Sequence, residues 1–322
     1  MTLTDTRAPR AARLSDVPLP PVDPSTPPWP GRTVRLAEHD VYVRTTPGPE
    51  SGGEPALYVH GLGGASTNWT DLAGLLAGWL DGEAMDLPGF GRSGPAPRRD
   101  YTLPSQARVV VELLERRGAG PVHLFGNSMG GAVSIVVAAA RPDLVRTLTL
   151  VSPAVPDLRP RRGSDPVLPL LLLPGMSWVV ERRLARMAPE ARARAVLELC
   201  FGDPSLVPPN RLAEAAAEVS RRNDLPWAMD AFTRSLRGLV ASYMVRGPRS
   251  LWAAAARISA PTLVVWGDRD RLVDVAVAPR TALAVPDSRL LVLPGVGHTA
   301  QLEDPETVAR AFLALREDVD AR

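Results

Sequence analysis

The chain contains no lysine; all 37 of its strongly basic side chains are arginine. A Schiff-base mechanism that depends on a lysine of this chain is therefore excluded. Arginine cannot reproduce lysine chemistry across a whole surface, so its exclusive use reads as compositional bias. Cysteine is nearly absent too. Cys200 stands alone, which rules out an internal disulfide, and no Cys/His cluster has metal-ligand spacing. Cys200 reads as a small buried hydrophobe, and neither metal nor cofactor is expected. No apolar run reaches the roughly 18 residues that a membrane helix needs. The start of the chain also lacks a stretch apolar and long enough for a signal-peptide core. A soluble, cytoplasmic protein without a transmembrane segment is the expectation. Nor is there an excess of one charge. The 37 arginines face 35 acidic residues, for a net charge of +2, which is no footprint for nucleic acid.

What is present suits a globular protein of one large domain or two small ones, with 322 residues and 45% hydrophobic side chains. Residues 1–32 are rich in proline and arginine and read as a flexible or polyproline-like arm. Two β-rich runs, Thr33 to Ala37 and Val41 to Thr45, suit an antiparallel pair at a sheet edge. Short apolar runs then alternate with amphipathic segments. "ALYVHG", "EAMDLPG", "VHLFG", "RTLTLVSP", "TLVVWG" and "SRLLVL" read as strands. Leu72, Leu75, Leu76 and Trp79 have helical spacing, as do Thr102 to Arg117, Met129 to Ala140 and the run that starts at Asp304-Pro305. Such alternation predicts an α/β fold: a mostly parallel central sheet with helices on both faces. The core is expected over 33–154 and 259–322. Between them, 155–258 has helical patterning without a convincing strand and is expected as a helical cap over the carboxyl ends of the strands.

The chemistry concentrates in a few loops. Gly126-Asn127-Ser128-Met129-Gly130 fits G-x-S-x-G between a strand and a helix, a turn so tight that its glycines leave no room for a Cβ. A serine hydroxyl becomes a nucleophile only when a base takes its proton. Of the four histidines, His39 lies in the early hairpin, His60 before a Gly-rich loop and His123 within a strand; His298 alone lies in a loop beyond the last strand. His298 is the expected base, with His60 and His123 structural. An acid must fix its tautomer. "WGDRDRLVD" offers Asp268, Asp270 and Asp274, of which Asp270 is best placed, while Asp268 suits a turn cap and Asp157 is an outside candidate. Two backbone N–H groups, of Leu62 in "HGLGG" and of Met129, are candidates for an oxyanion hole.

Together "HGLGG", "DLPGFGRSG", "FGNSMGG", "WGDRD" and "GVGH", in order between Ala56 and Leu315, resemble the landmarks of the α/β-hydrolase superfamily. The resemblance implies Ser128 as nucleophile, Asp270 as acid, His298 as base, and Leu62 and Met129 as oxyanion donors. It departs from the family at Asp274, where proline is frequent. Epoxide and haloalkane hydrolases carry aspartate at the nucleophile position, so Ser128 points to esterases and lipases. Hydrolases of carbon–carbon bonds in aromatic ring-cleavage products also look similar, through "GNSMGG", Trp266 and "GHTAQLE", but their "HGxGPG"-like loop is unmatched because Gly64 stands where proline would be. The expectation is a serine hydrolase that cleaves a small to medium carboxylic ester through an acyl-enzyme, with a small-molecule ester as its partner. The alternatives are a carbon–carbon hydrolase, a ligand-binding protein that retains the triad, and a cofactor-free peroxidase. Within the cap, the apolar run Val167 to Val180, interrupted by Pro169 and Pro174, suits packing, an acyl pocket or peripheral contact with lipid; Arg182 and Arg183 read as exposed charge.

Overall fold

The computed structural model describes residues 8–157, 172–173, 176–184 and 186–322. Eight strands form one sheet: β1 (Gly31–Arg35), β2 (Asp40–Thr46), β3 (Glu54–Val59), β4 (Leu80–Met85), β5 (Val122–Asn127), β6 (Val145–Val151), β7 (Thr262–Gly267) and β8 (Ser288–Leu293). Their spatial order is β1-β2-β4-β3-β5-β6-β7-β8. The β1–β2 and β2–β4 pairs are antiparallel and the other pairs are parallel. The edge hairpin and the parallel core thus follow the sequence pattern.

Both faces of the sheet are buried, which explains why its central strands are nearly continuous apolar runs. In β3, Leu57 and Val59 point to one side and Ala56 and Tyr58 to the other; in β7, Val264 and Trp266 oppose Leu263 and Val265. The first side is covered by the helices at Leu103–Arg117 and Met129–Ala140, the second by those at Thr70–Leu76 and Pro305–Asp320. In chain order these are α2, α3, α1 and α11. On α11, Val308, Phe312 and Leu315 are the buried face, each contributing about 1.5–3 kcal/mol by leaving water. Helix α1 is shorter than the spacing suggested: it ends at Leu76, and Trp79 instead closes a turn into β4, its carbonyl accepting from the Glu54 N–H at 2.9 Å.

Residues between β6 and β7 form α4 (Met176–Leu184), α5 (Pro189–Cys200), α6 (Pro209–Asn223), α7 (Ala228–Met244) and α8 (Leu251–Ala255), with no strand among the described residues. Leu251, Ala254 and Ala255 of α8 join the apolar layer of α3, so the chain has re-entered the core before β7. Half of the Val167 to Val180 run, residues 167–171 and 174–175, lies outside the described residues. Among the described residues the remaining α-helices are α9 (Ala278–Ala284) and α10 (Ala300–Glu303).

Residues 8–30 do not form a free arm. Ala11 bridges to Leu290 on the edge strand β8, with the Ala12 N–H donating to the Leu290 carbonyl at 2.9 Å and the Leu290 N–H to the Arg10 carbonyl at 2.8 Å. The Ser15 N–H bonds to the Arg310 carbonyl at 3.0 Å, and the Trp29 indole N–H to the Thr70 carbonyl at 3.0 Å. The segment has no periodicity from which to build its own structure, and takes its order from the unpaired backbone of a sheet edge.

Candidate active site

Ser128 sits between the last residue of β5 and the first of α3 with φ 54° and ψ −119°. For a residue with a Cβ this conformation is strained by about 1–3 kcal/mol. The strain is held by its surroundings: the Ser128 N–H donates to the Val151 carbonyl at 3.0 Å, and its own carbonyl accepts from Ala132 and Ala154 at 3.0 and 2.8 Å. The flanking glycines are obligatory. A Cβ on Gly126 would strike the Ser134 hydroxyl and the Gly130 carbonyl, and one on Gly130 would strike the carbonyl oxygens of Val59 and His60.

His298 is buried in the loop that follows β8, and its Nδ1 lies 2.8 Å from Asp270 Oδ2. The other carboxylate oxygen accepts from the N–H groups of Leu272 and Val273 at 2.8 and 2.9 Å. Burial alone would raise the Asp270 pKa, but the electrostatic pull and hydrogen bond of the His298 ring and those two N–H groups together hold it below its ordinary 3.8. An ionised Asp270 only accepts, so Nδ1 of His298 carries the proton and Nε2 presents a lone pair. The neighbouring aspartates do other things. Asp268 accepts from the Gly295 N–H at 2.7 Å, and Asp274 caps a turn through the Ala276 N–H at 2.9 Å. Asp157 lies beyond the end of β6, and it is Asp270 that meets the histidine.

One residue that the motif leaves unspecified joins these parts. Asn127, next to the serine, donates from Nδ2 to the carbonyl of Val151 and to that of His298, both at 3.1 Å. Nothing in its own sequence position signals this, because the second acceptor is 171 residues away.

Met129 opens α3, so its N–H has no acceptor within the helix. Leu62 follows β3 in a turn that leads past Ser128, and a Cβ on Gly61 would lie 3.0 Å from the Ser128 Cβ. The carbonyl of Gly61 accepts from His60 Nδ1–H at 2.7 Å and from the Gly64 N–H at 3.0 Å. A trans peptide points its C=O and N–H in opposite directions, so these two donors also fix the direction of the Leu62 N–H. The Nε2 of His60 accepts from the Leu87 N–H at 3.0 Å, which assigns the ring a neutral tautomer; burial lowers its pKa and keeps it so. Asp86 holds the same loops, accepting from the Ser66 and Arg92 N–H groups at 2.6 and 2.8 Å.

The segment between β6 and β7 reaches this region. Arg222 of α6 donates to the Gly63 carbonyl at 2.8 Å. The Leu62 side chain packs in an apolar cluster with Val180 of α4 and Met229, Phe232 and Leu236 of α7. Arg182 and Arg183 are exposed at the end of α4. Burial and the carboxylates of Asp270 and Glu303 push the Cys200 thiol up to about 12, so it carries no thiolate chemistry. No helix among the described residues is long and apolar enough to cross a membrane.

Known proteins resemble this chain in sequence, and others in fold. The chain is 31% identical over 264 residues to the dihydrolipoyllysine-residue acetyltransferase component of the acetoin cleaving system of Pseudomonas putida, covering 82% of this chain but only 63% of that protein. It is 29% identical to lipase 3 of a Moraxella species (82% of this chain, 78% of the lipase). It is 28% identical to 2-hydroxy-6-oxononadienedioate/2-hydroxy-6-oxononatrienedioate hydrolase 2 of Pseudomonas putida (81% and 87%). Among solved structures, a putative lipase from Acinetobacter baumannii superposes with a TM-score of 0.71 at 21% identity, covering 91% of this chain and 92% of that one, a likeness of fold. The profile of the alpha/beta hydrolase fold matches residues 55–305, and with the sheet order and the strained serine turn in place the chain belongs to that family of hydrolases.

Proposed function

We propose that the protein is a serine hydrolase acting on a carboxylic ester with a small to medium, largely apolar acyl group. Ser128 attacks the carbonyl, His298 Nε2 takes its proton and returns it to the leaving alcohol, and Asp270 holds the Nδ1–H and stabilises the imidazolium. The N–H groups of Leu62 and Met129 receive the oxyanion, and water then releases the acyl group by the same proton relay. Helices α4 to α7 act as the cap, and the cluster around Leu62 supplies the apolar side of the acyl site. The observation that carries this reading is one hydrogen-bonded chain: Asn127, adjacent to the strained Ser128, bonds to the His298 carbonyl, and His298 bonds to an ionised Asp270.

The test is hydrolysis of p-nitrophenyl esters from acetyl to long acyl chains by wild type and Ser128→Ala. Turnover that peaks at one chain length and falls by at least about 10³-fold in the variant supports the reading. Equal turnover by Ser128→Ala sinks it. A second reading, carbon–carbon bond hydrolysis of a dienoate, draws support from the 28% identity to the hydrolase of that class. It would replace the first if the wild type turned over such a dienoate and left every ester in the series untouched.

A further inference from the structure

Glu303, the last residue of α10, lies where the loop of His298 meets the segment that follows α5. One carboxylate oxygen accepts from the Gly297 N–H at 2.8 Å, immediately before His298. The other accepts from the Asp203 N–H at 3.0 Å, and both lie 3.0 Å from the Gly202 N–H. Gly202 and Asp203 come just after Cys200, the end of α5. A further bond closes the same joint, for the His298 N–H itself donates to the Cys200 carbonyl at 2.6 Å. The two backbones touch here: a Cβ on Gly297 would strike the Cys200 carbonyl, and one on Gly202 would strike the Gly295 carbonyl.

His298 is therefore gripped from two sides. The core holds its ring through Asp270 and its carbonyl through Asn127, while the inserted helices hold its backbone through Cys200 and, by way of Glu303, its neighbour Gly297. A carboxylate bridging three N–H donors makes charge-assisted bonds, about twice as strong as neutral ones. Replacing it would leave three donors without their acceptor and let the two loops part.

We propose that Glu303 is a positioning residue for His298, through which the inserted helices set the place of the base. The proposal rests on the serine-hydrolase reading for its kinetic consequence, but not for its structural one. A displacement of the insert at the end of α5 is carried to Gly297 and His298, so the imidazole keeps its alignment only while the insert is seated.

Two readouts test it in wild type, Glu303→Ala, Glu303→Gln, Gly202→Ala and, as a control on an exposed helix pair, Glu306→Gln. The first is the downfield proton resonance of the His298 Nδ1–H to Asp270 bond, identified by its loss in His298→Asn. The second is kcat and KM on the best ester, measured well below each variant's melting temperature. Glu303→Ala is expected to broaden or abolish the resonance and lower kcat on the order of 10- to 100-fold, with KM changed by less than about twofold. Glu303→Gln, which keeps one acceptor oxygen, should fall between the two. Gly202→Ala leaves the carboxylate but forces the backbones apart, and should move both readouts the same way. Glu306→Gln should match wild type. An unchanged resonance in folded Glu303→Ala overturns the proposal, as does a displaced resonance with unchanged kcat. If no ester is turned over by the wild type, the functional reading falls while the resonance still decides the positioning role.

Discussion

Three imidazoles in this chain differ in what their surroundings permit. His298 keeps Nε2 free for a proton because an ionised Asp270 occupies Nδ1. His60 spends both ring nitrogens on backbone, one on Gly61 and one on Leu87. His123 is fully buried in β5, its Nδ1 accepting from the Thr147 hydroxyl at 2.7 Å and its Nε2–H donating to Glu54 at 3.1 Å. Burial drives its pKa from 6.5 down to about 4, against the pull of Glu54. Between those two values the unfolded chain binds a proton at this residue that the folded chain does not, so stability rises with pH across that window and falls on acidification. His123→Gln is expected to reduce the slope of unfolding free energy against pH there by up to about 1.4 kcal/mol per pH unit. Urea denaturation at a series of pH values measures it, and parallel slopes for variant and wild type would count against the assignment. The separation of these histidines was legible in the sequence because a ring inside a strand and a ring in a loop past the last strand have different neighbours. The parts of Asn127, Asp86 and Glu303 were not legible. Each acts on backbone groups that only folding brings near, and an isolated Asn, Asp or Glu in a sequence names no partner.

At the scale of elements, local chemistry decides where helices begin and end. Helix α2 stops at Gly118, which takes φ 61° and donates its N–H to the Leu114 carbonyl at 3.2 Å, with Arg116 and Arg117 in the last turn favouring the negative end of the dipole. The nearest atom to a Cβ placed there is the Glu115 carbonyl oxygen at 3.9 Å, so nothing would be struck. Gly118→Ala thus isolates the conformational penalty of a left-handed residue and is expected to lower stability by about 1 kcal/mol with ester turnover unchanged. Thermal or urea unfolding checks it; no loss would show that the turn relaxes to another conformation. The sequence misjudged α1 for a related reason. Trp79 keeps the apolar spacing, but the chain must turn at Ala77 and Gly78 to deliver β4 to its place beside β3, and that requirement is set by sheet pairing.

The whole molecule is a sheet with two edges, and its treatment of them differs. The β1–β2 hairpin forms one edge, while residues 10–12 cover part of the other by bonding to β8. Removal of residues 1–30 is expected to expose the backbone of β8, lower the melting temperature and promote self-association, since an open strand edge pairs with whatever strand it meets. Size-exclusion chromatography and thermal unfolding of the truncated chain test this. A monodisperse product with unaltered melting would mean that the edge is protected by other means.

By itself the sequence determined the α/β class, the strand-helix alternation, the serine turn with its glycines, and the shortlist of histidines and aspartates. These are set by periodicity and by steric limits within a few residues, which a linear chain carries in full. The tertiary structure decided the rest: Asp270 over Asp268 and Asp274 as the partner of His298, the bond from Asn127 across to the His298 loop, the docking of residues 8–30, and the clamp at Glu303. Every one of these joins groups far apart in the chain, and the energy that selects among them arises only when burial has removed the competing water.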